Sequence, residues 1–256
     1  MSSLSVIIIT KNEERNIREC LESVGWAGEI VVVDAGSSDR TVELARAVTP
    51  KVFVDAWRGY GAARNEALTH CANEWVLWLD ADERVTQALA AEIKSMIALA
   101  GVDLVGYEVP RAAYFLGKWI KHCGWYPGYV VRLFRRSAGR FTEDKVHERL
   151  EIKGKLGRLK SDLLHFTDPN LFHYFEKFNR YTSLAAEELL GRGRRFRLSQ
   201  LLLRPPWVFV RMYVLRGGFL DGIQGLILSL LSSCYVFVKY AKLWELSPSD
   251  ERSKLQ

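Results

Sequence analysis

Asp80 closes the apolar run WVLWLD that begins at Trp75, and Asp82 follows after a single alanine. In an extended backbone, side chains two residues apart project to the same side, so both carboxylates are expected to face one point. Paired hard oxygen donors suit Mg2+ or Mn2+, ions that complete their shells with phosphate oxygens and water. A cation held there neutralises a departing diphosphate. A solvated acidic loop would be spelled the same way. The position directly after a buried strand favours chemistry.

Asp34 ends a second apolar run, EIVVVD, and leads into the small-residue turn AGSSDRT. A carboxylate at a strand end suits the N–H of a uracil ring or a ribose hydroxyl. Asp39, later in the turn, reads better as a helix cap. Thr10 ends the first run, LSVIIIT, and Lys11-Asn12-Glu13-Glu14 follows it; one glutamate of that pair reads as support for a helix N-terminus. His165, in LLHFTD, reads either as a third metal ligand or as a packed residue beside aromatics. Trp125, Tyr126 and Pro127 precede Gly128 in a loop whose rings either stack on sugar or fill a core.

The elements that must position these residues are legible. Leu4–Thr10, Glu29–Asp34, Lys51–Val54 and Trp75–Asp80 read as strands, apolar throughout as in a sheet covered on both faces. Helical patterns at about Arg15–Val24, Thr41–Ala47, Ala62–Cys71 and Thr86–Ala100 alternate with them. A βαβα order predicts an open α/β sheet with ligands beyond the carboxyl ends of its strands, where Thr10, Asp34 and Asp80 stand. Further strands at Leu104–Pro110 and Val130–Phe134 make the sheet mixed. From Pro169 the pattern is helical, interrupted by RGRRFR at 192–197.

Together the segments SVIIITKNEERNI, VVVDAGSSDRT, GYGAARNEAL and WVLWLDADE resemble glycosyltransferase family 2, the inverting enzymes with the GT-A fold. The resemblance implies a Rossmann-like nucleotide-sugar-binding mixed sheet over residues 1–168, with a nucleotide half (1–100) and an acceptor half (101–168). A helical, membrane-proximal extension occupies 169–256. It also implies that Thr10, Glu13 and Asp34 surround the base and ribose, that Arg64 approaches the diphosphate, that Asp80 meets ribose or metal, and that Asp82 meets metal. GWYPGYVVRLFRR followed by VHE resembles a bacterial subgroup that builds the lipopolysaccharide core.

An inverting transfer needs a general base beyond the DAD motif. The acidic cluster FTEDKVHERLE offers Glu148, with His147 orienting it, and Asp144 as second choice. A surface pairing of Glu148 with Arg149 or Arg132 is the plain alternative. Trp125, Arg132 and His147 are assigned to the acceptor side.

Of the 256 residues 48% are hydrophobic and 26% charged, which excludes a disordered or collagen-like chain. The net charge of +6 implies anionic partners. The basic residues of 201–244 lie inside apolar helices, unlike a polar nucleic-acid stripe, and this favours an anionic membrane surface. Packing against an oligomer partner and a spanning helix stay open for this tail. The four scattered cysteines form no CxxC, and the N-terminus carries no basic and apolar leader pattern, so a cytosol-facing, reducing location is expected.

The expectation is therefore transfer of a hexose, glucose from UDP-glucose, to the lipopolysaccharide inner core at the cytoplasmic face of the inner membrane. Polyprenyl phosphate or protein acceptors, or a nucleotide-binding scaffold without transfer, are the rivals.

Overall fold

The computed structural model describes residues 4–99, 103–142 and 149–247. By internal packing the chain divides into two units, Met1–Ala112 with Gly128–His165, and Ala113–Pro127 with Phe166–Gln256.

In the first unit, β1 (Leu4–Thr10), β2 (Glu29–Asp34), β3 (Val52–Val54) and β4 (Trp75–Asp80) alternate with α1 (Ile17–Ser23), α2 (Thr41–Arg46) and α3 (Tyr60–Thr69). β5 (Glu83–Val85) and α4 (Gln87–Leu99) follow. β6 (Leu104–Phe115), β7 (Lys118–Trp119), β8 (Gly128–Arg135), β9 (Gly139–Phe141), β10 (Leu150–Ile152), β11 (Lys155–Arg158) and β12 (Leu163–Asp168) complete the β-structure. The main sheet runs β3-β2-β1-β4-β8-β6-β12-β5. Its first four strands are parallel, and β8 joins β4 antiparallel. The mixed α/β sheet expected from the sequence is present.

The continuous apolar spelling of β1 has a direct cause. Leu4, Val6 and Ile8 enter one core cluster with Leu77, Leu79 and Ile17, while Ile7 and Ile9 enter another with Val31, Val33 and Val76. Successive side chains point to opposite faces, and both faces are covered. Each fully buried Val, Leu or Ile contributes roughly 1.5–3 kcal/mol relative to exposure. Parallel register sets Thr10 beside Asp34 and Ile9 beside Asp80, so three polar residues meet at one sheet edge.

The second unit is mainly helical: α5 (Leu171–Gly191), α6 (Leu198–Phe209) and α7 (Gly222–Leu246). Arg192–Arg197 separates the first two, where the basic run breaks the helical pattern. Pro205 and Pro206 lie inside α6 and lack the N–H that an α-ladder needs; a π-helical segment, Val210–Leu215, follows. Two clusters hold this unit: Phe115, Ile120, Cys123 and Leu228, and Ala186, Tyr240 and Leu243. Gly218–Leu246 is long and apolar enough to cross a membrane by length and composition, and only 22% of its most apolar window is buried.

Candidate active site

At the carboxyl end of β4 the chain does not stay extended. Ala81 and Asp82 form a turn, and β5 folds back to pair antiparallel with β12, Glu83 opposite His165. The extended backbone expected through the DAD pair is thereby corrected: the reversal gives each carboxylate its own partners.

Asp80 is held by two arginines. Arg64 Nη2 donates to Oδ1 at 3.1 Å and Arg132 Nη2 to Oδ2 at 2.7 Å. Arg64 belongs to the buried stripe of α3, with Gly61, Ala67 and Leu68, and that phase aims a charged side chain inward. Arg132 lies on β8 and is 2% exposed. It also donates to Glu83 Oε1 at 2.5 Å, and Glu83 Oε2 accepts the N–H of Asp80 at 3.1 Å. Both guanidiniums pack on Trp78, Arg132 at 3.6 Å and Arg64 at 4.4 Å from the ring centroid. Trp78 is fixed by its Nε1–H to the Val131 carbonyl at 2.7 Å.

Two positive and two negative groups thus share one buried cluster. Burial alone would raise the pKa of Asp80, but Arg132 and Arg64 outweigh it and hold the carboxyl well below the usual range. Burial pushes Glu83 upward, with Arg132 opposing and Asp80 reinforcing the rise. Burial works against the charge on Arg132, and Glu83 and Asp80 overcome it, so the guanidinium stays protonated. Arg132, assigned to the acceptor side from the sequence, is instead the buried clamp beneath Asp80.

Asp82 lies beside that cluster with a partner of its own, Oδ2 3.3 Å from His165 Nε2. Among the described residues no three His, Cys, Asp or Glu side chains are grouped as metal ligands. Asp80 has both oxygens engaged by arginines. Asp82 and His165 do present a carboxylate oxygen and an imidazole nitrogen to each other, a pair that fits a divalent cation whose remaining positions go to phosphate and water.

The loops after β1 and β2 are stitched together. Asn12 N–H donates to Ser37 Oγ at 2.7 Å, Ser38 N–H to Asn12 Oδ1 at 2.8 Å, and Glu13 N–H to Thr41 Oγ1 at 2.8 Å. Asp34 is fully buried, and its two oxygens accept from the Ser37 N–H and hydroxyl. Asp39 accepts from Thr41 N–H at 3.0 Å at the start of α2. Glu13 accepts from Asn16 Nδ2 at 2.8 Å. Thr10 Oγ1 is buried with no hydrogen-bond partner among the described residues. A shallow cleft opens beside Asp34, lined also by Ala35, Asp55, Trp57, Arg58 and Ala63. Trp57 is 44% exposed and offers a stacking face for a planar base.

Glu143, Asp144, His147 and Glu148 lie outside the described residues. The strands on either side are well fixed. β9 pairs with β10, Thr142 N–H donates to the Arg149 carbonyl at 2.9 Å, and Asn65 exchanges two hydrogen bonds with the Phe141 backbone. Phe141 packs edge-on to Trp78 at 5.4 Å, which ties the hairpin base to the Arg64–Asp80 cluster. Trp125 belongs to the second unit, where it packs on Phe115 at 6.2 Å.

Residues 5–149 match the family model for glycosyl transferase family 2. The chain belongs to that family. Its matched span carries every strand-end residue described above.

Family 2 relatives extend over almost the whole chain. It is 33% identical over 254 residues to the lipopolysaccharide core biosynthesis glycosyltransferase LpsC of Rhizobium meliloti (strain 1021), covering 94% of this chain and 92% of that protein. It is 30% identical over 258 residues to an uncharacterized glycosyltransferase of Rickettsia typhi (strain ATCC VR-144 / Wilmington), covering 96% and 88%. Among solved structures it is similar to S. aureus TarS 1–349 in complex with UDP-GlcNAc, with TM-score 0.47 and 16% identity over 93% of this chain and 91% of that one.

The sequence reading left out Glu83, Trp78, Asp55 and Trp57. Glu83 had a signal in DADE, where a third acid follows the pair and begins β5.

Proposed function

We propose that this family 2 glycosyltransferase moves a hexose, glucose from UDP-glucose, with inversion onto a lipid-linked acceptor, the lipopolysaccharide core. The observation that carries the reading is the Arg64–Asp80–Arg132–Glu83 cluster at the end of β4, with Asp82 and His165 beside it. The match to LpsC along the chain supports the choice of acceptor.

In this mechanism the base and ribose occupy the cleft beside Asp34, with the uracil on Trp57 and the unpartnered Thr10 hydroxyl available to the nucleoside. Arg64 draws the diphosphate toward the end of β4. Asp82 and His165 would hold Mg2+ or Mn2+, which would neutralise charge on the departing diphosphate. Arg132 and Arg64 keep Asp80 ionised and Glu83 holds Arg132 in place, so the nucleotide meets a preformed surface. Glu148 takes the proton from the acceptor hydroxyl as it attacks the anomeric carbon, and UDP leaves from the opposite face. His147 orients Glu148, and Asp144 is the alternative base.

The catalytic part comprises residues 1–168, and the helices of 169–256 attach the enzyme to the cytoplasmic face of the inner membrane. The apolar length of Gly218–Leu246 and the basic residues around it support that attachment. The test is transfer of labelled hexose from a panel of UDP-sugars to isolated lipopolysaccharide truncated in its core. Incorporation from UDP-glucose that requires Mg2+ or Mn2+ is expected. Incorporation only into polyprenyl phosphate or protein would move the acceptor assignment to that class.

A further inference from the structure

Within the second unit, one corner carries features that the transfer chemistry does not use. Asp221 is 2% exposed at the start of α7. Its carboxylate accepts the backbone N–H groups of Lys121 at 3.3 Å and His122 at 2.8 Å, and Oδ1 lies 3.0 Å from His122 Nδ1. A carboxylate at Nδ1 fixes the ring's orientation, and in the imidazolium form Nε2–H is the donor left for an anion. The imidazole is 37% exposed, so that atom is accessible to a ligand.

Arg216 is fastened to the same loop. Its carbonyl accepts the Cys123 N–H at 3.1 Å. Its guanidinium lies against Gly124, where an added β-carbon would stand 2.4 Å from Nη1. A β-carbon on Gly217 would lie 3.5 Å from the His122 ring. His122 and Arg216 therefore meet around two glycines, and the adjacent Lys121 carries its ammonium 4.5 Å from the Trp119 ring centroid. Lys121 and Arg216 are exposed and have no acidic partner among the described residues.

The chain bordering this cluster is exposed and apolar: Val214, Leu215 (64% exposed), Phe219, Leu220 (60%) and Ile223. From Arg192 to Trp244 nine lysines and arginines stand against one acid, Asp221, and that acid is turned inward. Apolar side chains flanked by cations match the two layers of an anionic leaflet, acyl chain below and phosphate above.

We propose that residues 214–223 are the insertion tip for an anionic membrane, and that Lys121, His122 and Arg216 clasp the phosphate of a lipid headgroup beside it. The proposal rests on the membrane attachment set out above and assigns it a site. Gly124 and Gly217 give the phosphate access to the three groups, and Asp221 holds His122 in place from beneath.

The experiment uses the full chain with vesicles of phosphatidylcholine alone or mixed with phosphatidylglycerol. Hydrogen exchange should slow at both 118–124 and 214–223 on the mixed vesicles. Lys121→Gln with Arg216→Gln should weaken partitioning about thirtyfold, whereas Arg46→Gln on the exposed face of α2 changes it less than about twofold. Gly124→Ala keeps every charge but displaces the Arg216 guanidinium, and should weaken partitioning too, provided its circular dichroism matches wild type.

Equal losses in the double variant and in Arg46→Gln would overturn the site in favour of diffuse charge attraction. Protection of 118–124 by inorganic phosphate alone, with none on vesicles, would make it a site for free phosphate and overturn the lipid assignment. Mixed vesicles that bind all variants like wild type refute the site but leave membrane attachment standing. Full-length protein that ignores every vesicle refutes both.

Discussion

Arg132 on β8 and Asp80 at the end of β4 form a 2.7 Å ion pair in which the arginine is 2% exposed. The same nitrogen reaches Glu83, so one cation compensates two carboxylates. Removing it strands Glu83 in the interior, while Asp80 keeps Arg64, a loss of about 3–5 kcal/mol by comparison with other broken buried pairs. Arg132→Met should therefore lower the melting temperature sharply. Adding Glu83→Gln to it should recover part of the loss, because the stranded charge is gone. A thermal unfolding series of the two single variants and the double checks this.

Asp82 carries no such structural burden, since its described partner is His165 alone at 3.3 Å. Asp82→Asn should leave the melting temperature within about 1 kcal/mol of wild type in stability terms. It should still reduce transfer by about a hundredfold or more, because a metal-facing oxygen loses its charge. Calorimetric titration with Mn2+ in the presence of UDP should lose its signal in the variant. Wild-type turnover at limiting Mn2+ would remove the metal role.

The acceptor base is separable from the donor site. Glu148→Gln keeps shape but not basicity, so UDP-sugar affinity should persist while transfer falls by about two to four orders of magnitude. Asp144→Asn should have the smaller effect. Loss of transfer in Asp144→Asn alone would assign the base there. Full activity in both variants would indicate an acceptor that attacks as an anion, such as a phosphate.

Acid stability should carry the signature of Glu29. Burial opposes its charge, but Lys51, Ser5 and the Ala72 N–H hold its pKa down to about 2. A carboxyl with a depressed folded pKa contributes stability above its unfolded value, near 4.5, and loses it as pH falls toward 2. Glu29→Gln should thus be less stable than wild type at neutral pH, and the gap should close through that window. Melting temperatures measured across it test the sign. A gap that widens in acid would contradict the assignment.

The parallel half of the fold was legible because β1, β2 and β4 are buried on both faces and spelled without interruption. Their carboxyl ends placed Thr10, Asp34 and Asp80 together from the sequence alone, and register bears that out. The reversal at Ala81–Asp82 was not legible, since it depends on β5 finding β12, a partner just over eighty residues away (His165 for Glu83). Arg132 was misplaced for a similar reason. In VVRLF it is an arginine inside an apolar strand, and only tertiary pairing with Asp80 and Glu83 explains why it is tolerated there. Asp221, an acid in an apolar helical run, caps the loop at Lys121 and His122 from a buried position, a role set by tertiary contact alone.

The central claim is inverting hexose transfer from a UDP-sugar to a lipopolysaccharide core by the site at the end of β4. Its most direct test is the anomeric configuration, by NMR, of the product formed from UDP-glucose and core-truncated lipopolysaccharide. The α-linked donor should yield a β-linked glucose. An α-linked product, or no transfer to any core acceptor under conditions where UDP binds, would contradict the account.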